Sequence, residues 1–532
     1  MPRSARWTAS ARHWSVNRHW AGVGDSPVAV PYSCRLVSRR PSGYAPPVAG
    51  PRRAAKNQPA ANGPRNTEAV AAAGGPSCRG HPDTGTCGAA KADFHSPASE
   101  VTPLDAQSPV PGTAAVREID VDDLVLEDRV HRLLYTSPAL FDAEMRRIFE
   151  RTWVFVGHES EVSQPGDYLS TLVGRQPVIL SRHADGSLHV LLNRCMHRGA
   201  VVCRAEHGNS TAFRCMYHGW VYDTRGDLIA VPFPGGYGPG FDQAALGLPR
   251  APRIGTYRGF VFASLSPAGP SLEAHLGKAR EYLDLILDAA PEGAIAVRSG
   301  VERYAYPANW KLQIENLLDG YHPNFTHQIA FEISERRRGV SGRKANSEGS
   351  GATARTFGPG HGVLHYSAVN RGYQGRDADQ PEYRRLLEER LGKDRASEVL
   401  RADIQLFVFP NLFFQSARQH FRVVRPLAVD RTEVYAYPYT LGGAPEAMNR
   451  RQVRSLAWWA SPAAFGQPDD LEAFVRCQEG LQVTAAEWVL FARGLHRERI
   501  SADGEVTGDV TDEVPQRGIY REWKRLMHDA RG

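Results

Sequence analysis

The sequence contains no run of about 18 or more consecutive apolar residues, so it predicts no membrane-spanning helix. Its 532 residues include only seven cysteines, which are too few for a disulfide-rich secreted scaffold. The formal net charge is only +6, and residues 1–115 carry thirteen Lys and Arg against six Asp and Glu. The rest of the chain is therefore nearly neutral, and its charge predicts neither nucleic-acid nor membrane binding.

Residues 1–115 also lack hydrophobic periodicity and are rich in Ala, Pro, Gly, Ser and Arg. Such a segment cannot bury enough apolar surface to offset the entropy that it loses on ordering. The composition therefore predicts a disordered N-terminal tail or a start codon assigned too far upstream. A weak transit peptide is a third interpretation, because the chain begins with Arg and Ser and without acidic residues.

Hydrophobic periodicity divides the rest of the chain into three segments, which together predict an α+β fold. Residues 116–160 combine an amphipathic helix with a strand and are expected to pack on the last segment. Residues 161–270 show short alternating strands broken by Gly and Asp, which indicates a small all-β domain. Residues 271–532 mix helical stretches with strand signals, which indicates an antiparallel sheet with covering helices.

Two short motifs in the predicted β domain combine cysteine with histidine. Cys195 and His197 form Cys-x-His, Cys215 and His218 form Cys-x-x-His, and seventeen residues separate the two pairs. Each motif fits on one tight loop, and two such loops facing each other would bring two thiolates and two imidazoles around a metal centre. In a Rieske [2Fe–2S] cluster the cysteines bind one iron and the histidines bind the other.

Zinc is the main alternative for these four residues because it accepts the same ligands. Unrelated core cysteines and histidines are a further interpretation. Against zinc, Gly199, Gly219 and Trp220 follow the ligands, where they would let backbone N–H groups approach bridging sulfides and cover a cluster. Respiratory Rieske proteins carry an additional cysteine near each pair, where this chain has Ala200 and Tyr217. The motifs therefore favour the Rieske clusters of oxygenases.

A second motif lies on a stretch that the sequence predicts to be helical from Trp310 to His327. It reads Asp319-x-x-His322-x4-His327, and its first two residues would share a helix face. His327 would lie about 140° around an ideal helix from His322, so convergence of the imidazoles needs a local break, for which Pro323 gives a reason. Two histidines and a carboxylate form the facial triad of non-heme Fe(II) oxygenases. The alternative is a polar helix face with satisfied histidines.

The third ligand of such a triad must come from elsewhere in the chain. The acids Asp469, Asp470 and Glu472 cluster before an apolar helical pattern, and we favour Asp470 among them. An alternative is that this cluster only caps the helix. Both functions are compatible, since one aspartate can cap while another binds iron.

Together these motifs resemble the large subunits of Rieske non-heme iron aromatic-ring-hydroxylating dioxygenases, of the benzoate and toluate type. The likeness runs from about Phe141 to Gln478 and includes both ligand sets. Segments 315–322 and 468–478 carry the likeness to the benzoate type. Residues 1–115 have no counterpart in this pattern.

The resemblance makes 161–270 the Rieske domain and 271–532 the catalytic domain, with one [2Fe–2S] cluster and one mononuclear Fe(II). It implies a cytoplasmic enzyme that uses O2 to dihydroxylate an aromatic substrate, in particular an aromatic carboxylate. It also implies a head-to-tail homotrimer or a hetero-hexamer with a small beta subunit, served by an NADH-dependent reductase and in some cases a ferredoxin. Asp319 would then bridge His322 to His218 of the partner subunit as the path for electrons.

Other functions remain open at this point. A monooxygenase or demethylase would use the same scaffold, whereas an electron-transfer Rieske protein or a zinc-stabilised interaction module would leave the second motif unexplained. A carboxylate substrate needs a cation in its pocket, and Arg418, Arg422 and Arg425 lie on or beside a predicted strand. We expect most of these arginines to be exposed at the surface.

Overall fold

The computed structural model describes residues 121–297, 300–338, 342–369 and 380–528. The predicted tail, residues 1–115, lies outside the described residues. Antiparallel sheets and covering helices make up the described chain, and the predicted α+β class is confirmed. Within the described part, no helix is both long and apolar enough to cross a membrane.

The first described elements are a short strand, two helices and a strand. They are β1 (Arg129–His131), α1 (Leu133–Thr136), α2 (Pro138–Glu144) with a π-turn (Met145–Phe149), and β2 (Val154–His158). Helix α2 begins at Ser137, whose hydroxyl accepts the N–H of Leu140, and Pro138 occupies the first turn. The predicted apolar face of this helix is buried, which joins it to the main core.

The segment from 167 to 264 is built of short strands, as predicted. They are β3 (Asp167–Val173), β4 (Gln176–Arg182), β5 (Leu188–Leu192), β6 (His207–Asn209), β7 (Ala212–Arg214), β8 (Val221–Asp223), β9 (Leu228–Ala230), β10 (Arg253–Tyr257) and β11 (Phe260–Ser264). They form a sheet of order β5-β4-β3-β6, a sheet of order β7-β8-β9, and a sheet in which β10 and β11 pair with β2.

The remaining elements alternate helices with a large sheet. They are α3 (Leu272–Leu276), α4 (Ala279–Leu287), β12 (Ile295–Ala296), β13 (Glu302–Tyr306), α5 (Trp310–Leu317), α6 (Pro323–Thr326), α7 (Gln328–Arg338), β14 (Thr353–Phe357), β15 (His361–His365), α8 (Pro381–Leu391), α9 (Lys393–Arg401), β16 (Ile404–Val408), β17 (Leu412–Gln415), β18 (His420–Ala428), β19 (Arg431–Pro438), β20 (Thr440–Leu441), α10 (Glu446–Trp459), α11 (Gln467–Gly480), β21 (Trp488–Leu490), β22 (Arg499–Ile500), β23 (Val506–Asp509) and α12 (Val514–His528).

The large sheet is antiparallel, with the strand order β13-β19-β18-β17-β16-β15-β14-β23-β22 in the described chain. Successive side chains point to opposite faces. Phe413 and Val424 therefore belong to a core that includes residues of α5 and α12. Their neighbours Phe414 and Val423 belong to a second core with residues of α4, α8 and α9. The face covered by α5 also carries the metal-binding candidates.

A buried ion pair fixes α5 to its neighbours. The Lys311 ammonium lies 2.6 Å from the Glu144 carboxylate, and neither side chain is exposed. The same carboxylate accepts the indole N–H groups of Trp310 and Trp523 at 2.9 and 2.7 Å. Burial lowers the pKa of Lys311, and the Glu144 charge opposes this shift. The pair therefore joins α2, α5 and α12 through one carboxylate, a connection that the sequence analysis did not anticipate.

We expect Glu144→Ala to destabilise the protein strongly, because it leaves a buried ammonium and two indole N–H groups without an acceptor. Removal of one partner of a buried ion pair costs about 3–5 kcal/mol. Glu446→Ala is the control, since Glu446 pairs with Arg450 on the exposed surface of α10, and exposed pairs contribute about 1 kcal/mol or less. Chemical denaturation measures both changes, and equal losses would show that the buried pair has no special role.

Candidate metal centres

The two cysteine–histidine motifs form loops of the same geometry. The amide N–H groups of Cys195 and Cys215 each donate to the carbonyl oxygen five residues later, at 2.8 Å. Inside each loop, the N–H of Gly199 or Gly219 donates to the carbonyl of the cysteine, at 2.9 and 3.0 Å. Both glycines have a φ of +74°, a conformation that favours residues without a Cβ. The repeated Gly after each histidine is thus explained by the turn.

The loops bring the four predicted ligands together. Cys195 and Cys215 are buried and form no disulfide, and the rings of His197 and His218 lie 4.4 Å apart between centroids. Nδ1 of His197 is buried and lacks a hydrogen-bond partner in the described structure. The paired loops, the adjacent histidine rings and the unpartnered Nδ1 of His197 fit a cluster that both loops hold.

Aromatic side chains cover this site from the interior. The Trp220 indole stacks on the His197 ring at 5.0 Å with an interplanar angle of 8°. The Tyr222 hydroxyl lies 3.3 Å from Cys195 Sγ and accepts the N–H of Met196 at 3.1 Å. Both aromatic residues are buried, so water reaches the cysteine side of the site poorly.

His322, His327 and Asp470 converge on one point in the other half of the chain. Their donor atoms all lie within 4.8 Å of one another. Asp470 Oδ1 is 3.2 Å from His327 Nε2 and 3.6 Å from His322 Nε2. Donors bound about 2.1 Å from one metal ion lie roughly 3.0–3.5 Å apart, so this set fits a single ion. Two imidazoles and one carboxylate are the donors of non-heme Fe(II) sites, which keep positions open for O2.

The charges around these donors favour metal binding. Burial raises the pKa of Asp470, but His327, His322 and the amide of Asn316 outweigh burial and lower it. Burial lowers the pKa of His322, whereas Asp319 and Asp470 raise it, and the net shift is upward. Asp470 is therefore an ionised carboxylate at neutral pH, the form that binds a cation.

The helix predicted from Trp310 to His327 is interrupted, and the predicted local break begins before Pro323 and not at it. Helix α5 ends at Leu317 and α6 begins at Pro323, so Asp319 lies between two helices and not on a helix face. Gly320 lies within the break, where a Cβ would be only 2.3 Å from the Val510 carbonyl oxygen, so this close approach requires a glycine. The break precedes Pro323, and the short helix α6 then separates the two histidines.

Asp319 caps the chain where it re-enters the helix. Its Oδ1 accepts the N–H groups of Tyr321 and His322, at 2.6 and 3.2 Å. Its Oδ2 lies 3.4 Å from His322 Nδ1, the ring nitrogen that faces away from the donor cluster. Asp319 therefore contacts the imidazole from behind and does not join the three donors.

The two other acids considered for the triad are also outside it. Asp469 Oδ2 lies 3.4 Å from His327 Nδ1, so it contacts that ring from behind, as Asp319 does for His322. Glu472 accepts a hydrogen bond from Arg476 on the outer face of α11, at 2.8 Å. The structure therefore groups Asp470 alone of these three acids with the histidines.

Asn316 belongs to this site, and the sequence analysis missed it. Its Nδ2 donates to Asp470 Oδ1 at 3.1 Å and lies 3.3 Å from His322 Nε2. The residue stands one turn before Asp319 in the motif, but an amide is a weak metal ligand and gave no signal. Its amide thus lies next to two of the three donor atoms.

A narrow cavity of about 60 Å³ opens onto the three donors. Its other walls include Phe413, Trp459, Arg418 and Arg422. The two arginines are only 4% and 5% exposed, so the expectation that they lie at the surface is wrong. They are buried because α5, α10 and α11 cover this face of the sheet. Arg425 points to the other face, where it is half-buried and donates to Thr171 at 2.9 Å.

Two family descriptions match this sequence. Residues 152–244 match the Rieske [2Fe-2S] domain, and residues 293–528 match the catalytic domain of the ring-hydroxylating alpha subunit. The first range contains the paired cysteine–histidine loops. The second range contains His322, His327 and Asp470 together with the large sheet.

Curated relatives of similar length agree with these matches. The anthranilate 1,2-dioxygenase large subunit of Acinetobacter baylyi is 34% identical over 76% of this chain and 90% of its own. The toluate 1,2-dioxygenase alpha subunit of Pseudomonas putida is 37% identical over 68% and 82%. The solved naphthalene 1,2-dioxygenase from Rhodococcus sp. bound to indole superposes with a TM-score of 0.67 and 27% identity, over 76% of this chain and 95% of that chain.

The predicted resemblance to benzoate- and toluate-type large subunits is therefore confirmed. The same matches establish one [2Fe–2S] cluster and one mononuclear iron as the cofactors, and both groups of candidate ligands fit them. This chain belongs to the family of Rieske-type ring-hydroxylating oxygenases as a large (alpha) subunit, and the curated relatives named above are aromatic-ring dioxygenases.

Proposed function

We propose that this enzyme adds both atoms of O2 to the ring of an aromatic carboxylate, giving a cis-dihydrodiol. The observation that carries the proposal is the convergence of His322, His327 and Asp470 in a cavity that also contains two buried arginines. Anthranilate, 2-halobenzoate and toluate, the compounds in the names of three relatives, are all aromatic carboxylates. A monooxygenase or demethylase remains the alternative, since it uses the same scaffold.

We assign the cluster ligands as Cys195 and Cys215 for one iron and His197 and His218 for the other. His322, His327 and Asp470 are assigned to the mononuclear iron. When bound, the cluster supplies single electrons and the mononuclear iron activates O2.

The acids behind the two iron-binding histidines have a separate task. Asp319 faces Nδ1 of His322, and Asp469 faces Nδ1 of His327, both at 3.4 Å. A carboxylate in this position holds the proton on Nδ1, which leaves Nε2 free to bind metal and fixes the orientation of the ring. Asn316 fixes the Asp470 carboxylate in the same way from the side of α5.

We keep the domain division predicted from the sequence, because it places the proposed cluster ligands in one domain and the proposed iron ligands in the other. The Rieske domain would span 161–270 and the catalytic domain 271–532, with 116–160 packed on the latter. The matched ranges support two domains in this order. Strand β2, which belongs to 116–160 in this division, pairs with β11 of the 161–270 segment, so these two segments share a sheet.

Members of this family work with reductase and ferredoxin partners and form oligomers. For this chain we propose a head-to-tail homotrimer, or a hetero-hexamer with a small beta subunit, reduced through an NADH-dependent reductase. Each metal site has an exposed apolar patch beside it, which supports burial in an assembly. The patches are Met216, Tyr217 and Phe233 beside the cluster loops, and Tyr321, Phe325 and Ile329 beside the iron donors.

Labelled oxygen distinguishes dihydroxylation from the alternative. The purified enzyme, supplied with its reductase, is given benzoate, anthranilate or toluate under ¹⁸O2. We expect a cis-dihydrodiol or the catechol derived from it, with both new oxygens labelled, as measured by mass spectrometry. One labelled oxygen per product, or loss of a methyl group, would establish the monooxygenase or demethylase. The absence of any oxygenated product from all aromatic acids would refute the proposed substrate class.

A further inference from the structure

Arg422 occupies an unusual position for a charged residue. It lies in the middle of β18, where it pairs with Phe413 of β17 and Ala436 of β19, and its side chain is 5% exposed. Residues opposite one another on adjacent antiparallel strands share a face. The Arg422 guanidinium therefore lies on the sheet face that carries the cavity, beside the Phe413 ring at 5.9 Å.

The hydrogen bonds of Arg422 go to neutral groups. Its Nε donates to His420 Nε2 at 3.2 Å, and its Nη1 donates to Gln467 Oε1 at 2.9 Å. Burial, followed by the charges of Arg422 and Arg418, lowers the pKa of His420 well below its usual value, so this acceptor is uncharged. Within the described ranges, no carboxylate lies within 4.0 Å of the Arg422 guanidinium nitrogens.

A buried cation without a counter-charge is costly. Taking a charged group out of water is unfavourable unless an opposite charge or a full set of hydrogen bonds compensates for it. Asp470 places its Oδ1 beside the two histidines and forms no ion pair with Arg422 within 4.0 Å in the described residues. The neutral partners of Arg422 orient its guanidinium and leave its charge uncompensated. This arrangement suits an anion that enters from outside the chain.

The residues that line the cavity around Arg422 suit an anion attached to an aromatic ring, and the cavity of about 60 Å³ has to widen to admit one. Phe413, Phe331 and Trp459 line it, which gives apolar surface for a ring. Arg418 stacks on Trp459 at 4.5 Å and adds a second positive charge at the same wall. The three metal-binding candidates form another wall of the same cavity. The described cavity thus combines an iron site, aromatic surface and a fixed cation.

We propose that Arg422 binds the carboxylate of the substrate and thereby orients the aromatic ring relative to the mononuclear iron. The inference rests on the proposed function and deepens it by naming the residue that selects an aromatic carboxylate over a neutral aromatic compound. Arginine presents several N–H donors in a plane that matches a carboxylate. Gln467, which holds Arg422, is in the same helix as Asp470, so the anion site and the iron site are fixed to one element.

The test compares benzoate with benzamide, its neutral analogue of the same shape. Binding to the iron-loaded enzyme is measured without O2 by titration calorimetry, so that the result does not depend on turnover. Arg422→Gln should weaken benzoate binding by roughly 10- to 150-fold, the range for a lost hydrogen bond to a charged group, and should change benzamide binding far less. Arg422→Lys keeps the charge without the planar fork and should recover part of the benzoate affinity.

Arg425→Gln is the matched control. Arg425 is on the same strand, but it points to the other face, where it stacks on Tyr435 at 3.7 Å. Its removal deletes one positive charge at a similar place in the fold and should leave benzoate binding unchanged. Cluster absorbance and iron content, measured for every variant, show whether the protein is folded and loaded.

The outcomes separate this inference from the proposed function. If the wild-type protein and the Arg422→Gln variant bind benzoate equally well, the role of Arg422 is overturned and the proposed function stands. Equal losses for benzoate and benzamide would also overturn it, since they would show that Arg422 only shapes the cavity. Wild-type protein that neither binds nor oxidises aromatic carboxylates would refute both.

Discussion

His322→Ala and Asp470→Ala are expected to remove the mononuclear iron while the cluster remains, and Cys195→Ser and His218→Ala to remove the cluster. The wild-type protein should hold about three irons and two labile sulfides per chain, the sum of one [2Fe–2S] cluster and one iron. The two losses should be separable because the sites lie in different parts of the fold. The cluster loops lie between short strands of the β domain, whereas His322 and His327 lie at the two ends of α6 and Asp470 lies in α11.

The reason for a complete loss of iron is the small number of protein donors. Removal of one donor from a three-residue site leaves only two protein ligands for the iron. The two remaining side chains also lose the contacts that the removed residue made with them. Iron analysis, labile-sulfide analysis and visible absorbance measure the two sites independently. Loss of cluster absorbance in His322→Ala would contradict the assignment, and so would zinc in place of iron after anaerobic purification.

Two neighbouring residues serve as controls for these losses. Cys203 lies near the cluster loops, but its thiol faces the Ala205 carbonyl oxygen at 3.7 Å, so Cys203→Ser should keep the cluster. Glu472 is two residues from Asp470 and pairs with Arg476 at the surface, so Glu472→Gln should keep the iron. Loss of the cluster in Cys203→Ser, or of the iron in Glu472→Gln, would show that the ligand sets are assigned wrongly.

Some of this architecture was predictable because its signals are local. Each cysteine–histidine pair fits on one turn, and the glycine that follows it has the positive φ that the turn requires. The helix that follows Ser137 was predictable from the helical spacing of its apolar residues, and the alternation of apolar and polar residues indicated the strands. These features depend on residues within a few positions of one another, which is the range that periodicity and turn chemistry describe.

Other features were not predictable, because they depend on contacts between distant segments. The helix break was predicted at Pro323 but begins after Leu317, and within it Gly320 packs against the Val510 carbonyl oxygen, 190 positions away in the chain. Most of Arg418, Arg422 and Arg425 were expected at the surface, yet α5, α10 and α11 cover the sheet face that carries Arg422, which is buried. The Glu144 and Lys311 pair joins residues that are 167 positions apart, and neither has a motif around it.

Asp319→Asn is expected to retain both metal sites and the oligomer but to lose turnover by roughly 100-fold or more, the upper range for residues that orient a metal ligand. Asn keeps the shape of Asp and can still accept the N–H groups of Tyr321 and His322 through its oxygen. Its amide nitrogen then replaces Oδ2, 3.4 Å from His322 Nδ1. A donor would face a donor there, so the imidazole loses the carboxylate that fixes its tautomer.

The size of the loss depends on the proposed bridge to His218 of the partner subunit. The Asp319 side chain is 29% exposed, and the exposed residues Tyr321 and Phe325 flank it, so a partner subunit can reach its carboxylate. Asp469→Asn is the matched control, because Asp469 faces Nδ1 of His327 in the same way but has no proposed bridge. It should lower iron affinity modestly and leave electron transfer within about 10-fold of the wild type.

A single-turnover measurement separates orientation of the ligand from the transfer of electrons. Protein with a chemically reduced cluster is mixed with benzoate and O2, and re-oxidation of the cluster is followed by its visible absorbance. Slow re-oxidation in Asp319→Asn with full iron content, and near-normal re-oxidation in Asp469→Asn, would support the bridge.

The rival view makes Asp319 the third iron ligand and Asp470 a helix cap, so it requires loss of iron in Asp319→Asn and retained iron in Asp470→Ala. Equal re-oxidation rates in the two Asn variants would show that Asp319 only orients His322, because both variants disturb one imidazole from behind and only Asp319 is placed to contact the next subunit.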